Sequence, residues 1–470
     1  MNIDELKENK QKLKLQKYYF YKKNSYLKNN IKIKIPKWVN YIIHKLQEFN
    51  YEAYIVGGCV RDSLLEKKPN DWDITTSALP NEVINIFKNL GYTILPTGLK
   101  HGTVTIVINN EHYEVTTYRI DGEYEDNRHP NEVEFTRNLK EDLNRRDFTI
   151  NSMAYNHKDG LIDYFNSKND LDSRIIKCVG DPVKRFSEDA LRILRAYRFA
   201  AQLDFKIENK TLNATRQLKG NLKNISIERI RDEINKILLT DSTIFFQLYK
   251  FGILKIIFPE LHQCHNVEQN SPYHMKNLFN HIINSVLNIE PKLHLKLTML
   301  LHAICTVQCK TTDEKGIDYF HNHEELSSYK AKKILKRMKY DNNTINKVSI
   351  LIKYHNRKID SNKSIRKLLS LIGEDNFRDL LKVKEADIKA QNLKYYHERH
   401  NKLIEIEARL NEILSKNQCF LLKDLKVNGR DLLELGYSGK DIGDILNNLL
   451  EKVLENPDLN DKNKLISIIK

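Results

Sequence analysis

Two aspartates at alternate positions, Asp71 and Asp73, follow the glycine pair Gly57-Gly58 in the stretch GGCVRDSLLEKKPNDWD. In extended backbone, residues two apart face the same side, so both carboxylates would meet one cation. Hard oxygen donors of this kind suit Mg²⁺, which keeps several waters and bridges protein carboxylates to substrate phosphates. The segment Tyr51 to Gly58 reads as a short buried strand running into the glycines, whose missing side chains let backbone N–H groups approach a triphosphate. Arg61 and Asp62 would then open a helix. The chemistry on offer is phosphoryl or nucleotidyl transfer, although Asp-x-Asp by itself would also fit a plain surface strand.

The elements that must position these groups follow in order. Thr97 to Arg119 reads as a strand pair with a turn at Asn109-Asn110, its second strand carrying Glu114 as a candidate third carboxylate. Glu141 to Asn151 contains Arg145, Arg146 and Asp147, and Arg185 to Leu203 contains Glu188-Asp189 followed by Arg192 and Arg195. Together with GG-x-VRD and DWDITT, these segments resemble the motif series of the class II nucleotidyltransferases, the family of bacterial CCA-adding enzymes and poly(A) polymerases. Three more stretches resemble the same family. Arg119 to Phe135 matches its flexible loop, with Asp121, Gly122, Tyr124, Asp126, Arg128, His129 and Pro130. Leu161 to Lys177 matches its head-to-neck joint, with Asn166-Ser167 in place of the usual glycine pair, and Ser226 to Leu238 matches the helix that closes the neck.

The resemblance implies an α+β fold: an N-terminal nucleotidyltransferase palm of mixed sheet and helices, then an elongated, largely α-helical neck, body and tail. It also implies that a 3′-hydroxyl attacks the α-phosphate of a nucleoside triphosphate, with Asp71 and Asp73 holding the metals. Gly57, Gly58 and Arg61 would then lie along the nucleotide, Arg146 and Arg195 would grip the triphosphate, and Asp147 would meet the ribose hydroxyl. A solvated charged turn is the plain alternative for Arg145-Arg146-Asp147. The loop implies that A-addition is possible, since family members that add only C are thought to lack it.

Hydrogen-bond inventories bear on base choice. Asp189 and Arg192, read as helical, stand three apart on one face. A carboxylate accepts and a guanidinium donates, so the pair fits the amino donor and ring-nitrogen acceptor of cytosine and of adenine, and opposes uracil and guanine. The expected nucleotides are CTP and ATP, and the ordinary alternative is an i,i+3 surface ion pair.

The 470 residues hold 77 Lys+Arg against 62 Asp+Glu, a net charge of +15 that suits a polyanionic partner such as RNA. A composition rich in Lys, Asn and Ile throughout dilutes that inference. Six cysteines without framework spacing, and no signal peptide or long apolar run, point to a reducing cytoplasm and away from a membrane. The expected divisions are a basic extension (1–35), a catalytic head (36–160), a helical neck (161–265), an HD-like region (266–360) and a body and tail (361–470). The extension mixes ten lysines with Tyr18, Tyr19, Phe20, Tyr21 and Tyr26, which fits RNA contact or a loosely ordered leader. Strand-like alternation is expected to end after Asn151.

Tyr273 to Lys310 and Phe320 to Met338 resemble an HD-type metal phosphohydrolase domain, with His281, His302 and His323 where ligands would stand. Ala303 replaces the aspartate that such a site requires, and imidazoles alone would serve a hard ion poorly. The region therefore reads as a structural remnant. His302, Cys305 and Cys309 would share a helical face, as a core stripe or a zinc set. Leu425 to Lys462 resembles the family's tail domain, with helix starts at Asn428-Gly429 and Ser438-Gly439 that fit capping or phosphate contact. The expected activity is template-independent addition of CCA to tRNA with Mg²⁺. The rivals are a poly(A) polymerase or A-only adding enzyme, a noncatalytic RNA-binding protein, and an HD phosphatase.

Overall fold

The computed structural model describes residues 31–122, 133–270 and 277–469. Residues 1–30 of the basic extension, residues 124, 126 and 128–130 of the expected loop and the start of the HD-like stretch lie outside this range. The fold is α+β, a mixed sheet followed by helices, in two compact units that meet in sequence at Ser226 and Ile227.

The first unit is built on seven strands in the order β3-β4-β5-β2-β1-β8-β9. They are β1 (Ala53–Val56), β2 (Ile74–Thr76), β3 (Thr93–Gly98), β4 (Thr103–Ile108), β5 (Glu111–Thr117), β8 (Met153–Asn156) and β9 (Gly160–Asp163). A separate ribbon, β6 (Arg119–Asp121) with β7 (Val133–Phe135), brackets the expected loop. Within the seven-stranded sheet β2 and β5 run parallel and the other neighbours are antiparallel. The central β1 is buried at all four positions, as its unbroken apolar run requires. Asn109 and Asn110 turn β4 into β5 with φ of 53° and 63°, the left-handed pair that matches the twist of a two-residue hairpin.

The sheet does not end at Asn151. Strands β8 and β9 complete it, β8 pairing with β1 at Ile55↔Tyr155 and Val56↔Ala154. Each has four residues, too few for period-two alternation to be read. The helices Pro182–Glu188 and Leu191–Leu203 follow. The first starts on Asp181, whose carboxylate accepts from the N–H groups of Val183 and Lys184, with Pro182 at the position that needs no donor.

Among the described residues, the second unit is helical apart from one small ribbon, Lys310–Thr312 with Asp318–Phe320. Its helices include Leu278–Leu287, Leu293–Leu301, His323–Arg337, Asn342–Tyr354 and Asn362–Lys389, the last broken at Gly373. The helix before His302 stops at Leu301, so His302, Cys305 and Cys309 do not share a helical face as expected. All six cysteines are free thiols. In the tail, Asn428 caps Gly429–Glu434, its Oδ1 accepting from Arg430 N at 2.9 Å while Asp431 returns the bond to Asn428 N at 2.8 Å.

Candidate active site

Asp71 and Asp73 lie just before β2, not within the strand itself. The lead-in is fixed from beside it, because Val56 N–H donates to the Asp73 carbonyl at 3.0 Å. Gly57 then leaves β1 with φ 81° and starts the helix Gly58–Leu64. A Cβ on Gly57 would stand 2.9 Å from Arg146 Nη1 and 3.9 Å from Asp73 Oδ2, so the glycine is where the guanidinium and the carboxylate converge. Desolvation pushes the Asp73 carboxyl above the usual range, against the pull of Arg146 and with the repulsion of Asp71, although the residue keeps solvent access.

Beside Asp73 is a cavity of about 230 Å³ whose walls include Thr103, Thr116, Arg119, Arg145 and Arg146. The guanidiniums are held by two carboxylates. Fully buried Asp142 accepts from Arg145 at 2.7 and 3.0 Å and lies 3.6 Å from Arg146 Nη2; Asp121 lies 3.1 Å from Arg119 Nε and 3.9 Å from Arg145. Burial works upward on Asp142, but Arg145 and Arg146 outweigh it and hold the carboxyl below its ordinary value. Arg146 Nε is buried without a hydrogen-bond partner among the described residues. Three cationic forks around one small space make a seat for a polyanion.

A second layer lies beneath. Arg61 donates from Nη1 to Asn151 Oδ1 at 2.6 Å and from Nε to Asp62 at 2.8 Å. Asp147 is buried and fully engaged: Oδ1 accepts from Phe148 N and Asn151 Nδ2 at 2.8 and 3.0 Å, and Oδ2 accepts from Arg195 Nε and Nη2 at 2.8 and 2.6 Å. Asp147 and Arg195, expected at the ribose hydroxyl and at the phosphates, are joined to each other here. The Phe199 ring carries Arg61, Arg195 and Arg198 at 5.1, 5.4 and 3.9 Å from its centroid.

Asp189 and Arg192 are also arranged differently from the sequence expectation. Asp189 is extended, with φ −137° and ψ 102°, between two helices, and its Oδ1 accepts from Leu191 N at 3.0 Å. Arg192 donates to Glu188 at 2.8 Å and to the carbonyls of Arg145 and Arg185 at 3.1 and 3.2 Å. The helical i,i+3 pair is not formed; the ion pair is i,i+4, with Glu188. Glu114 is exposed on β5, and among the described residues Asp71, Asp73 and Glu114 are not gathered with ligand atoms within 4.8 Å of one another.

Family models match three stretches: the poly A polymerase head domain over residues 53–177, a probable RNA and SrmB-binding site of polymerase A over 204–264, and a putative tRNA nucleotidyltransferase domain 2 over 310–469. The CCA-adding enzyme of Enterococcus faecalis is 33% identical over 432 residues, 91% of this chain and 94% of that protein. The chain belongs to the CCA-adding enzyme family. Other family members match more strongly over a shorter span: that of Oceanobacillus iheyensis is 48% identical over 196 residues, 42% of this chain and 48% of the relative. The match thus spans about half the length of the first such relatives. The crystal structure of the Bacillus stearothermophilus CCA-adding enzyme in complex with CTP superposes with a TM-score of 0.69 at 26% identity, covering 93% of this chain and 98% of that one.

Several site residues were not singled out from sequence. Asp142 and Glu188 had a readable signal, since each stands three or four residues before its arginine. Phe199 and Asn151 had none, because what they do depends on groups brought from other elements.

Proposed function

We propose that this protein adds or repairs the 3′-terminal CCA of tRNA without a template, using CTP and ATP and releasing pyrophosphate, in the cytoplasm. The observation that carries the reading is the convergence of Asp73, Gly57 and Arg146 beside a cavity walled by three arginines. Membership of the CCA-adding enzyme family supports it, as does the likeness to a relative solved with CTP. Among the described residues no helix is long and apolar enough to cross a membrane.

The donor set of Asp71 and Asp73 fits Mg²⁺: hard oxygens at alternate positions, with the Asp73 carboxyl raised as an incompletely compensated anion would be. Bound there, Mg²⁺ would supply Lewis acidity for the attacking hydroxyl and the leaving pyrophosphate. The protein's own groups do the holding. Arg119, Arg145 and Arg146 bind and orient the triphosphate, Gly57 lets it approach the backbone, and Asp142 keeps the forks aimed. Arg192, set by Glu188, and Asp189 at the neighbouring helix start present the donor and acceptor that distinguish cytosine and adenine from uracil and guanine.

The test is to offer tRNAs ending before the CCA, after its first C and after its second C, with each nucleotide singly and in mixtures. Stepwise completion and then arrest is expected; long A tails would instead identify a poly(A) polymerase. Asp71→Asn and Asp73→Asn should each lower turnover at least about 10²-fold, the scale of several kcal/mol of lost charge stabilisation, while tRNA binding survives.

A further inference from the structure

The helix His323–Arg337 of the second unit sorts its residues by face. Ser327, Ser328, Ala331, Ile334 and Leu335 are buried. At about 3.6 residues per turn, Leu326, Tyr329, Lys332, Lys333 and Lys336 fall together on the opposite side, and all five are exposed, Tyr329 by 57%. The stretch from Leu326 to Tyr340 carries six cations and no acid.

Little in the chain neutralises that face. Arg337 donates to both oxygens of Glu260 at 2.7 and 3.0 Å and Lys339 pairs with Glu228, but these two cations stand at the helix end and beyond it. Glu325, about one turn before Tyr329, is itself met by Lys353 at 3.3 Å. Among the described residues Lys332 and Lys336 form no ion pair, and Lys333 holds its Nζ 4.4 Å from the centroid of the Tyr329 ring. Lys332 and Lys336 are four residues apart, a placement of like charges that destabilises a helix unless an anion lies beside it.

The make-up of the face selects among anions. A membrane surface needs apolar side chains to insert, and this helix turns its apolar side to the core, with Leu326 and Tyr329 left outward. An acidic peptide would match the lysines alone. An RNA strand matches both kinds of group, its phosphates meeting the ammonium groups and an unpaired base stacking on the tyrosine. We propose that this face binds RNA: Lys332, Lys333 and Lys336 neutralise backbone phosphates, and Tyr329 stacks a base left unpaired in the tRNA. The identity of the RNA rests on the function proposed above; the chemistry of the face does not. Such contacts position the RNA and read no sequence.

The test compares the full-length protein with a double variant, Lys332→Gln with Lys336→Gln, by filter binding to tRNA lacking CCA. Each phosphate contact contributes about 0.9 to the slope of log affinity against log salt, so the slope should become shallower by about 2, with affinity at low salt reduced about tenfold or more. Lys88→Gln with Lys158→Gln, both exposed in the first unit, removes the same charge and should leave the slope unchanged. Tyr329→Leu should weaken binding about tenfold at every salt concentration and keep the slope. All these side chains are exposed, and equal melting temperatures check that the variants fold. The proposal is overturned by an unchanged slope in the Lys332 and Lys336 variant or by an equal change in the first-unit control. It is overturned too if the parent prefers phosphatidylserine vesicles to tRNA and the variant loses them. A chain that adds no nucleotide to tRNA yet shows the expected slope change would overturn the proposed function and leave this surface standing.

Discussion

Gly57 concentrates the chemistry of the first unit in one residue. Its φ of 81° costs a residue with a side chain about 1–2 kcal/mol, and a Cβ there would press on Arg146 at 2.9 Å. Gly57→Ala should therefore lower nucleotide incorporation by more than tenfold while the melting temperature falls by only a few degrees; single-turnover assays and calorimetry separate the two effects. Asp73 gives a pH signature. With its carboxyl raised by desolvation, protons compete with a cation to a higher pH than at an ordinary aspartate, so apparent Mg²⁺ affinity should weaken as the medium is acidified toward that raised value. Titrating activity against Mg²⁺ at several pH values measures this. Asp147 has the opposite sign. Burial works upward, but Arg195 and Asn151 outweigh it and hold the carboxyl well below the usual range. Its stabilisation is present above the unfolded value of about 3.9 and is lost as pH falls from there through the lower folded value. Asp147→Asn should then melt earlier than wild type near neutrality, and the gap should close in acid.

Two helices and the break between them carry the groups proposed to read the base. Asp189 is drawn out of the helix because an aspartate before a helix start gains more from the free N–H of Leu191 than from a helical place. Arg192 thereby falls to Glu188. Glu188→Gln should weaken that ion pair and loosen discrimination against UTP, seen as a smaller ratio of kcat/KM for CTP over UTP; an unchanged ratio would remove Glu188 from the selection. The same elements show how much was legible in sequence. The strand into Gly57, the turn at Asn109-Asn110 and the cap at Asn428 follow from residue types over short windows, and the structure shows all three. The partner of Arg192, the seat of Asp147 and the last two strands of the sheet depend on contacts between distant segments. Spacing along the chain does not encode those, and Asp387, far in sequence from the His281 and His302 it meets, is the clearest case.

On the scale of the molecule, a net charge of +15 and two separate compact units set expectations for solution behaviour. Binding to tRNA should weaken by about 10³-fold between 50 and 200 mM salt if about six phosphates are neutralised, and filter binding across that range checks the slope. The long helix Asn362–Lys389 is in effect two. Before its break at Gly373, Arg366 donates from Nε and Nη2 to the carbonyls of Leu454 and Glu455 at 3.0 and 3.1 Å; beyond the break, Asp387 reaches the histidines. Nothing lies within 4 Å of where a Cβ on Gly373 would point, so the obstacle to a side chain is backbone handedness and not crowding. Mirror-image alanine installed by chemical ligation should therefore settle at this corner without strain, whereas its ordinary counterpart would pull the tail's anchor and the histidine pocket out of step with each other.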